Sequence, residues 1–390
     1  MKKVCVVTGS RAEYGLLYPL LGALKAHPGI TLQVLACGMH LSSRFGSTYR
    51  EIIGDGFRLD ARVSIPFYGG RSGVAKSIGS ALPGFAAAFD SLSPDMVILL
   101  GDRFEVFAAA IAAFCAKMPI AHIHGGELTE GALDDAFRHS ITKMAFLHFA
   151  SCEAYRRRIV QLGEHPSRVF NVGALAIDNI LHTALLSREE LEKDLRFSLG
   201  ERLALATFHP VTLESAGSAR QLRELLGALD TLDRTQVIFT LPNADPGNGE
   251  IKRLIGQYVK KHPGRAKAFA SLGRIKYLSA MRHADVVVGN SSSGLIEAPF
   301  FGLPTVNIGD RQRGRIRAES VIDCAPVGQS IASALRKALS PRFRASCKKI
   351  KNPYGSGRAA ERITETIYSR IGKIADIKKQ FYNLSRHVQK

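Results

Sequence analysis

The residues best suited to chemistry gather in one stretch, HIHGGELTEGALDDAFRHSITK, where His122, His124, Glu127, Asp134, Asp135, Arg138 and His139 share one strand, loop and helix. Carboxylates beside imidazoles are groups that move protons. Asp134 and Arg138 are four apart, so a helix puts both on one face. His122 and His124 are two apart on a strand and point the same way, and Glu127 could add a third metal ligand. No second histidine pair and no cysteine cluster completes such a site, so proton transfer is expected there and no metal.

Other candidates follow short apolar runs. In ILLGDRFE, Asp102 and Arg103 stand at the end of a strand. In TGSRAEYG, Ser10 and Glu13 have capping-box spacing, and Arg11 lies at a helix start, where its fork suits a phosphate. His209 in TFHP and Asn243 in LPNAD also follow strands. In VVVGNSSSGLIEAPFFGLPTVNIGDRQRGR, Ser291, Ser292, Ser293 and Gly294 join a strand to a helix start. Free backbone N–H groups and hydroxyls there suit an anion. Glu297, about one turn on, is placed to accept the two hydroxyls of a ribose, and Arg311 follows the next strand. The set points to a nucleoside diphosphate. Neither G-x-G-x-x-G nor G-x-x-x-x-G-K-[ST] occurs, so a nicotinamide or P-loop site has no support.

Positioning these groups takes parallel sheets. Apolar runs at Val4–Thr8, Leu32–Cys37, Met96–Gly101, Ile120–His124, Leu147–Ala150 and Val169–Val172 read as buried strands between helical patterns. Leu59–Ile65 is harder to place, with an outer strand as its expected reading. The pattern restarts with Leu203–Phe208, Gln236–Leu241, Ala266–Ala270, Asp285–Gly289 and Thr305–Ile308, with helices expected at Ser218–Leu232 and Ile251–His262. The expected fold is α/β, with two doubly wound parallel-sheet domains facing a cleft. Residues 1–173 form a Rossmann-like domain with the catalytic carboxylates, 174–355 a Rossmann-like nucleotide-binding domain, and 356–390 a basic helical tail.

Composition narrows the class. The chain has 390 residues, 46% hydrophobic, enough for two cores. Its six cysteines are scattered without a C-x-x-C pair, which argues against a disulfide scaffold or zinc ribbon and for a reduced cytosol. The longest apolar stretch, Val106–Ala116, is too short to span a bilayer, and Val4–Val7 is too short for a signal-peptide core. A soluble cytoplasmic protein is expected, without a membrane partner. Of the +19 net charge, the segment from Arg336 onward carries 15 Lys/Arg against three acids. With no Trp and no basic–aromatic repeat, this reads as a solvated tail and not as a nucleic-acid surface.

GSRAEYG, GDRFE, HIHGGE, DDAFRHSITKM, FHP, PNAD, GNSSSGLIE and NIGDRQ-x-GR, in this order, closely resemble the hydrolysing UDP-N-acetylglucosamine 2-epimerases of bacterial sialic-acid pathways. The resemblance runs from Val4 to about Arg317. It implies a glycosyltransferase-B type fold, a UDP-sugar substrate held by the C-terminal domain, release of N-acetylmannosamine and UDP, no cofactor, and a homo-oligomer, dimer or tetramer. By resemblance the nucleotide positions are Arg11, His209, Asn243, Ser291, Ser292, Glu297 and Arg311, with Arg103 beside them. The catalytic carboxylates are Asp102, Glu127 and Asp134, with Arg138 in the same cluster. His124 stands where several relatives have glutamate and joins the catalytic candidates.

The residue chemistry agrees. The C2–H of a pyranose becomes acidic only once the diphosphate begins to leave C1. Removing that proton and returning one from the other face needs separate acid and base groups. Three other readings use the same residues: a hydrolase of a nucleotide-linked 2,4-diacetamido-trideoxyhexose on the legionaminic-acid route, a non-hydrolysing epimerase, and a nucleotide-sugar-binding regulator without chemistry.

Overall fold

The computed structural model describes residues 1–129, 133–210, 217–241, 248–374 and 376–384. The chain divides into two compact units, Met1–Glu127 with Leu133–Asn179 and Tyr354–Lys390, and Leu128–Ala132 with Ile180–Pro353.

The first unit is built on a seven-stranded parallel sheet: β1 (Lys2–Thr8), β2 (Ile30–Cys37), β3 (Ala61–Val63), β4 (Met96–Leu100), β5 (Ile120–Ile123), β6 (Leu147–Ala150) and β7 (Val169–Asn171). Their order is β3-β2-β1-β4-β5-β6-β7. The second unit has six parallel strands: β8 (Arg202–Thr207), β9 (Thr235–Thr240), β10 (Ala266–Phe269), β11 (Val286–Gly289), β12 (Thr305–Ile308) and β13 (Val321–Cys324), ordered β10-β9-β8-β11-β12-β13. In both sheets the order reverses beside the unit's first strand, between β1 and β4 and between β8 and β11. At such a switch point the loops leaving adjacent strands diverge, and ligands bind beyond the strands' C-terminal ends. GSRAE and GDRFE leave the first switch point; FHP and GNSSSG leave the second.

Each sheet is buried on both faces, which explains the unbroken apolar runs. Val4 and Val6 of β1 pack with Leu17, Leu20, Leu21 and Leu24 of the helix Arg11–Ala26, while Cys5 and Val7 face Phe85 and Phe89 on the other side. β3 is the short outer strand that Leu59–Ile65 suggested. β13 had no clear signal because Val321–Cys324 is only partly buried.

Gly289 at the end of β11 has φ +135°, and a Cβ there would lie 1.9 Å from the Thr207 carbonyl oxygen of β8. Only glycine lets these two strands approach so closely at the switch point.

The expected boundaries at 173 and 355 differ from those of the folded units. The first unit continues to Asn179, and the chain returns to it at Tyr354. Apolar periodicity accounts for the return: Ala359, Ala360, Ile363, Ile367 and Ile371 of the helix Ala359–Ile371 join the core cluster that holds Leu17 and Leu21. The Asp178 carboxylate caps that helix, accepting from the backbone N–H groups of Ala359 and Ala360 at 3.1 and 2.6 Å. Among the described residues, no helix is long and apolar enough to cross a membrane.

Candidate functional site

In the first unit, Arg138 is the organising residue. It is 2% exposed, on the helix Leu133–Met144. Its guanidinium donates to the Asp102 carboxylate, to the Glu127 carbonyl oxygen at 2.9 Å and to Asp135 at 3.2 Å. One side chain thus ties the loop after β4 to the loop after β5. Asp134 shares the helix, but Arg138 pairs with Asp135, three residues away, and reaches inward to Asp102. Asp134 is left on the outer side. The protein around it and then the Asp102 charge raise its pKa to about 6, although its outer edge stays exposed. A carboxyl tuned there can exchange protons near neutral pH.

Glu127 is 5% exposed and accepts from the Ser151 hydroxyl at 2.9 Å. His124 Nδ1 lies 3.9 Å from a Glu127 oxygen. His124 has φ +64° and Gly126 φ +77°. A Cβ on Gly126 would come within 2.5 Å of the Tyr155 carbonyl oxygen, so glycine there lets the loop lie close on the helix Glu153–Gln161. His122 faces inward. Its Nε2 donates to the Gly101 carbonyl oxygen at 2.8 Å and its Nδ1 lies 3.1 Å from the Thr142 hydroxyl. Burial lowers its pKa to about 3. It is a structural histidine between β4 and the site helix.

Arg103 is held by Glu105 at 3.0 Å, and that glutamate is fully buried. Ser10 caps the helix by accepting from the Glu13 N–H at 3.4 Å, while Glu13 accepts from the Gly9 N–H at 3.2 Å and the Ser10 hydroxyl at 3.1 Å, so the Ser10 half of the expected capping box forms and Glu13 reaches one residue further back. Burial, and less strongly the Glu105 charge, raises the Glu13 carboxyl to about 8 against the pull of Arg103. Arg11 pairs with Glu51 at 3.0 Å.

In the second unit, Asn290 is the hub. Its amide oxygen accepts from the His209 N–H at 2.7 Å and its amide nitrogen donates to the His209 carbonyl at 2.8 Å. Its own carbonyl accepts from Arg311 and Gln312, both at 2.9 Å. His209, through the Asn290 side chain, and Arg311, through its backbone carbonyl, are therefore assembled around one residue next to Ser291. Burial, then the Arg311 charge, lowers the His209 imidazole to about 4, so it is neutral at pH 7. The serine loop rests on Tyr277, whose hydroxyl lies 2.5 Å from Ser293 Oγ, itself 3.1 Å from Ser291 Oγ. The helix expected after the serines is short, Ser293–Ile296, and turns at Glu297 into a 3-10 segment, Ala298–Phe301, because Pro299 cannot continue it. Ser292 precedes this helix, and Glu297 closes it. Burial raises the Glu297 carboxyl to about 7.

Two groups of the expected residues are thus each brought together within a unit: Asp102, Arg103, His124, Glu127, Asp134 and Arg138 in the first, His209, Ser291, Ser292, Glu297 and Arg311 in the second. Asn243 lies outside the described residues. Sequence reading missed Asn290, Gln312, Tyr277, Glu105 and Ser151. Asn290 and Glu105 sit inside motifs already singled out, while Tyr277 and Ser151 carry no local signal.

Comparisons with known proteins show the family and the fold. A family model described as UDP-N-acetylglucosamine 2-epimerase matches residues 22–368. The "GDP/UDP-N,N'-diacetylbacillosamine 2-epimerase (hydrolyzing)" of Campylobacter jejuni is 40% identical, over 98% of this chain and 99% of that one. The "UDP-N,N'-diacetylbacillosamine 2-epimerase (hydrolyzing)" of Legionella pneumophila is 36% identical, over 93% and 94%. The crystal structure of a UDP-GlcNAc 2-epimerase from Neisseria meningitidis superposes with a TM-score of 0.80 at 19% identity, over 94% of this chain and 100% of that one. It shares the glycosyltransferase-B-like fold of two parallel α/β sheets.

Proposed function

The chain belongs to the UDP-N-acetylglucosamine 2-epimerase family, and from that premise we propose that it is a hydrolysing nucleotide-sugar 2-epimerase acting on a nucleotide-linked 2,4-diacetamido-2,4,6-trideoxyhexose. The site supplies the means for the common chemistry. In this reading Arg311, His209 and the serine loop hold the nucleotide, with Arg11 and Asn243 as further contacts and Glu297 on the ribose. Positive and neutral donors at the diphosphate favour its departure from C1. A carboxylate of the first unit takes the C2 proton as the C1–O bond breaks, giving UDP or GDP and a glycal. A proton then enters C2 from the opposite face and water adds its oxygen to C1. The observation that carries this reading is the Arg138 clamp, which gathers Asp102 and the Glu127 loop beside Asp134, so that several acid/base groups share one place.

The choice of sugar is supported by the 40% and 36% identical relatives, both named for diacetylbacillosamine. The family description and the sequence motifs favour UDP-N-acetylglucosamine as the second reading. Turnover of both sugar nucleotides by the purified chain separates them. We expect kcat/KM for the diacetamido sugar to exceed that for UDP-N-acetylglucosamine by roughly tenfold or more, as missing or extra polar groups on a sugar typically cost. The reverse order would establish the second reading.

Asp134 gives a pH expectation. With its carboxyl raised to about 6 and ionised for proton abstraction, kcat/KM should fall below about pH 6. In Asp134→Asn the residual activity should lose that limb. A limb unchanged in position in the variant would assign it to another group.

A further inference from the structure

The stretch Asp376–Leu384 has no regular secondary structure, yet it is firmly held. The side chain of Lys379 is only 14% exposed. Its ammonium donates to the carbonyl oxygens of Lys143 and Ala145, both at 2.7 Å, and to the two oxygens of Glu164, both at 2.9 Å. Glu164 is 1% exposed and also meets Lys143 Nζ at 2.5 Å and His148 Nε2 at 3.1 Å. Two residues further on, Phe381 lies so close to Gly163 that a Cβ there would come within 2.3 Å of the ring. The Tyr382 N–H donates to the Gly163 carbonyl at 2.9 Å. Side chain and backbone thus anchor the segment at separate points.

The carbonyls that Lys379 takes close the helix Leu133–Met144. The last carbonyls of a helix lack partners within it, and a cation there also answers the helix dipole. The first turn of the same helix carries Asp134, and Arg138 stands midway along it. Arg138 is five residues upstream of Lys143, about 7.5 Å along the axis. A helix is stiff, so a shift or fraying at its closing turn is carried to the guanidinium that clamps Asp102 and the Glu127 carbonyl.

We propose that Asp376–Leu384 is a strap that fixes the site helix from its far end, and that Lys379 is a positioning residue for Arg138 and Asp134; the catalytic part of this inference rests on the epimerase reading above. The basic C-terminal segment then holds a structural cation as well as solvated charge.

The test is Lys379→Met in the full chain, with Lys379→Arg and Phe381→Ala beside it. In Lys379→Met, amide exchange over Leu133–Met144 should quicken roughly tenfold, with Ala359–Ile371 and the strands unchanged. The value of kcat should fall roughly tenfold or more, as expected when a catalytic group is displaced, with KM and UDP affinity within about twofold. Lys379→Arg should recover part of both losses. Phe381→Ala, which keeps every charge of the cluster but removes the ring that Lys143 lies over, should show the same pattern more weakly, and it carries the test if Lys379→Met does not fold. Unchanged exchange in the site helix, or quickened exchange with kcat at the parental level, would overturn the proposal. So would exchange that rises evenly over the whole first unit, since that reports general destabilisation. Exchange needs no substrate. A parent chain that turns over no sugar nucleotide would therefore refute the epimerase reading while the strap itself stood or fell on the exchange data.

Discussion

Replacing Asp102 by asparagine should lower kcat by roughly 10²–10⁴-fold and leave UDP affinity, measured by calorimetry, near the parental value. Asparagine keeps an oxygen for the Arg138 guanidinium, so the clamp geometry survives. It removes the negative charge that balances Arg138, and with it a proton acceptor. It also removes the charge that helps to raise Asp134, so any remaining activity should show its acidic limb at lower pH. UDP affinity is the control, because the main proposed nucleotide contacts, Arg311, His209, the serine loop and Glu297, belong to other loops. Normal turnover by Asp102→Asn would show that this carboxylate is not part of the chemistry.

Glu297→Ala should weaken UDP binding by roughly 10–100-fold, the size expected for hydrogen bonds to a charged group. The free chain holds this carboxyl near 7 because burial disfavours its ionised form. Ribose hydroxyls donating to it would stabilise the carboxylate, so UDP affinity should rise from pH 6 to pH 8. Comparison with Glu297→Gln removes the titration of UDP itself, and the variant should lack the Glu297 part of that rise. Stability should move the other way. A carboxyl raised in the folded state binds its proton more tightly there than in the unfolded chain, so stability is lost as pH rises from about 4.5 to above 7. Glu297→Gln should therefore melt no lower than the parent at pH 8. Unchanged UDP affinity in both variants would remove Glu297 from the nucleotide site.

The sequence made the sheets legible because parallel strands buried on both faces appear as unbroken apolar runs, such as Val4–Val7 and Val286–Val288. It also placed the candidate groups correctly after strands, since at a switch point the loops that leave the sheet carry the ligand contacts. What it could not show was long-range pairing. Helical spacing puts Arg138 on one face with Asp134, but it does not show that Arg138 also reaches Asp102, 36 residues away. Asn290 looked like one polar residue among several, and its role depends on His209, 81 residues distant. The return of the C-terminal helix depends on Asp178 and on an apolar face that any amphipathic helix would show. Tyr277 lies on a helix with a weak apolar stripe, and its hydroxyl finds Ser293 only in the fold.

The central claim is that one site eliminates the nucleotide and then hydrates the glycal with inversion at C2. Turnover of the preferred sugar nucleotide in deuterated, oxygen-18 water tests it most directly. The account predicts a free sugar inverted at C2, with one deuterium at C2 and the heavy oxygen at C1, and a nucleoside diphosphate without label. Attack at phosphorus would label the diphosphate and leave C2 untouched, and simple glycoside hydrolysis would label C1 alone. A released sugar without deuterium at C2 would contradict the account.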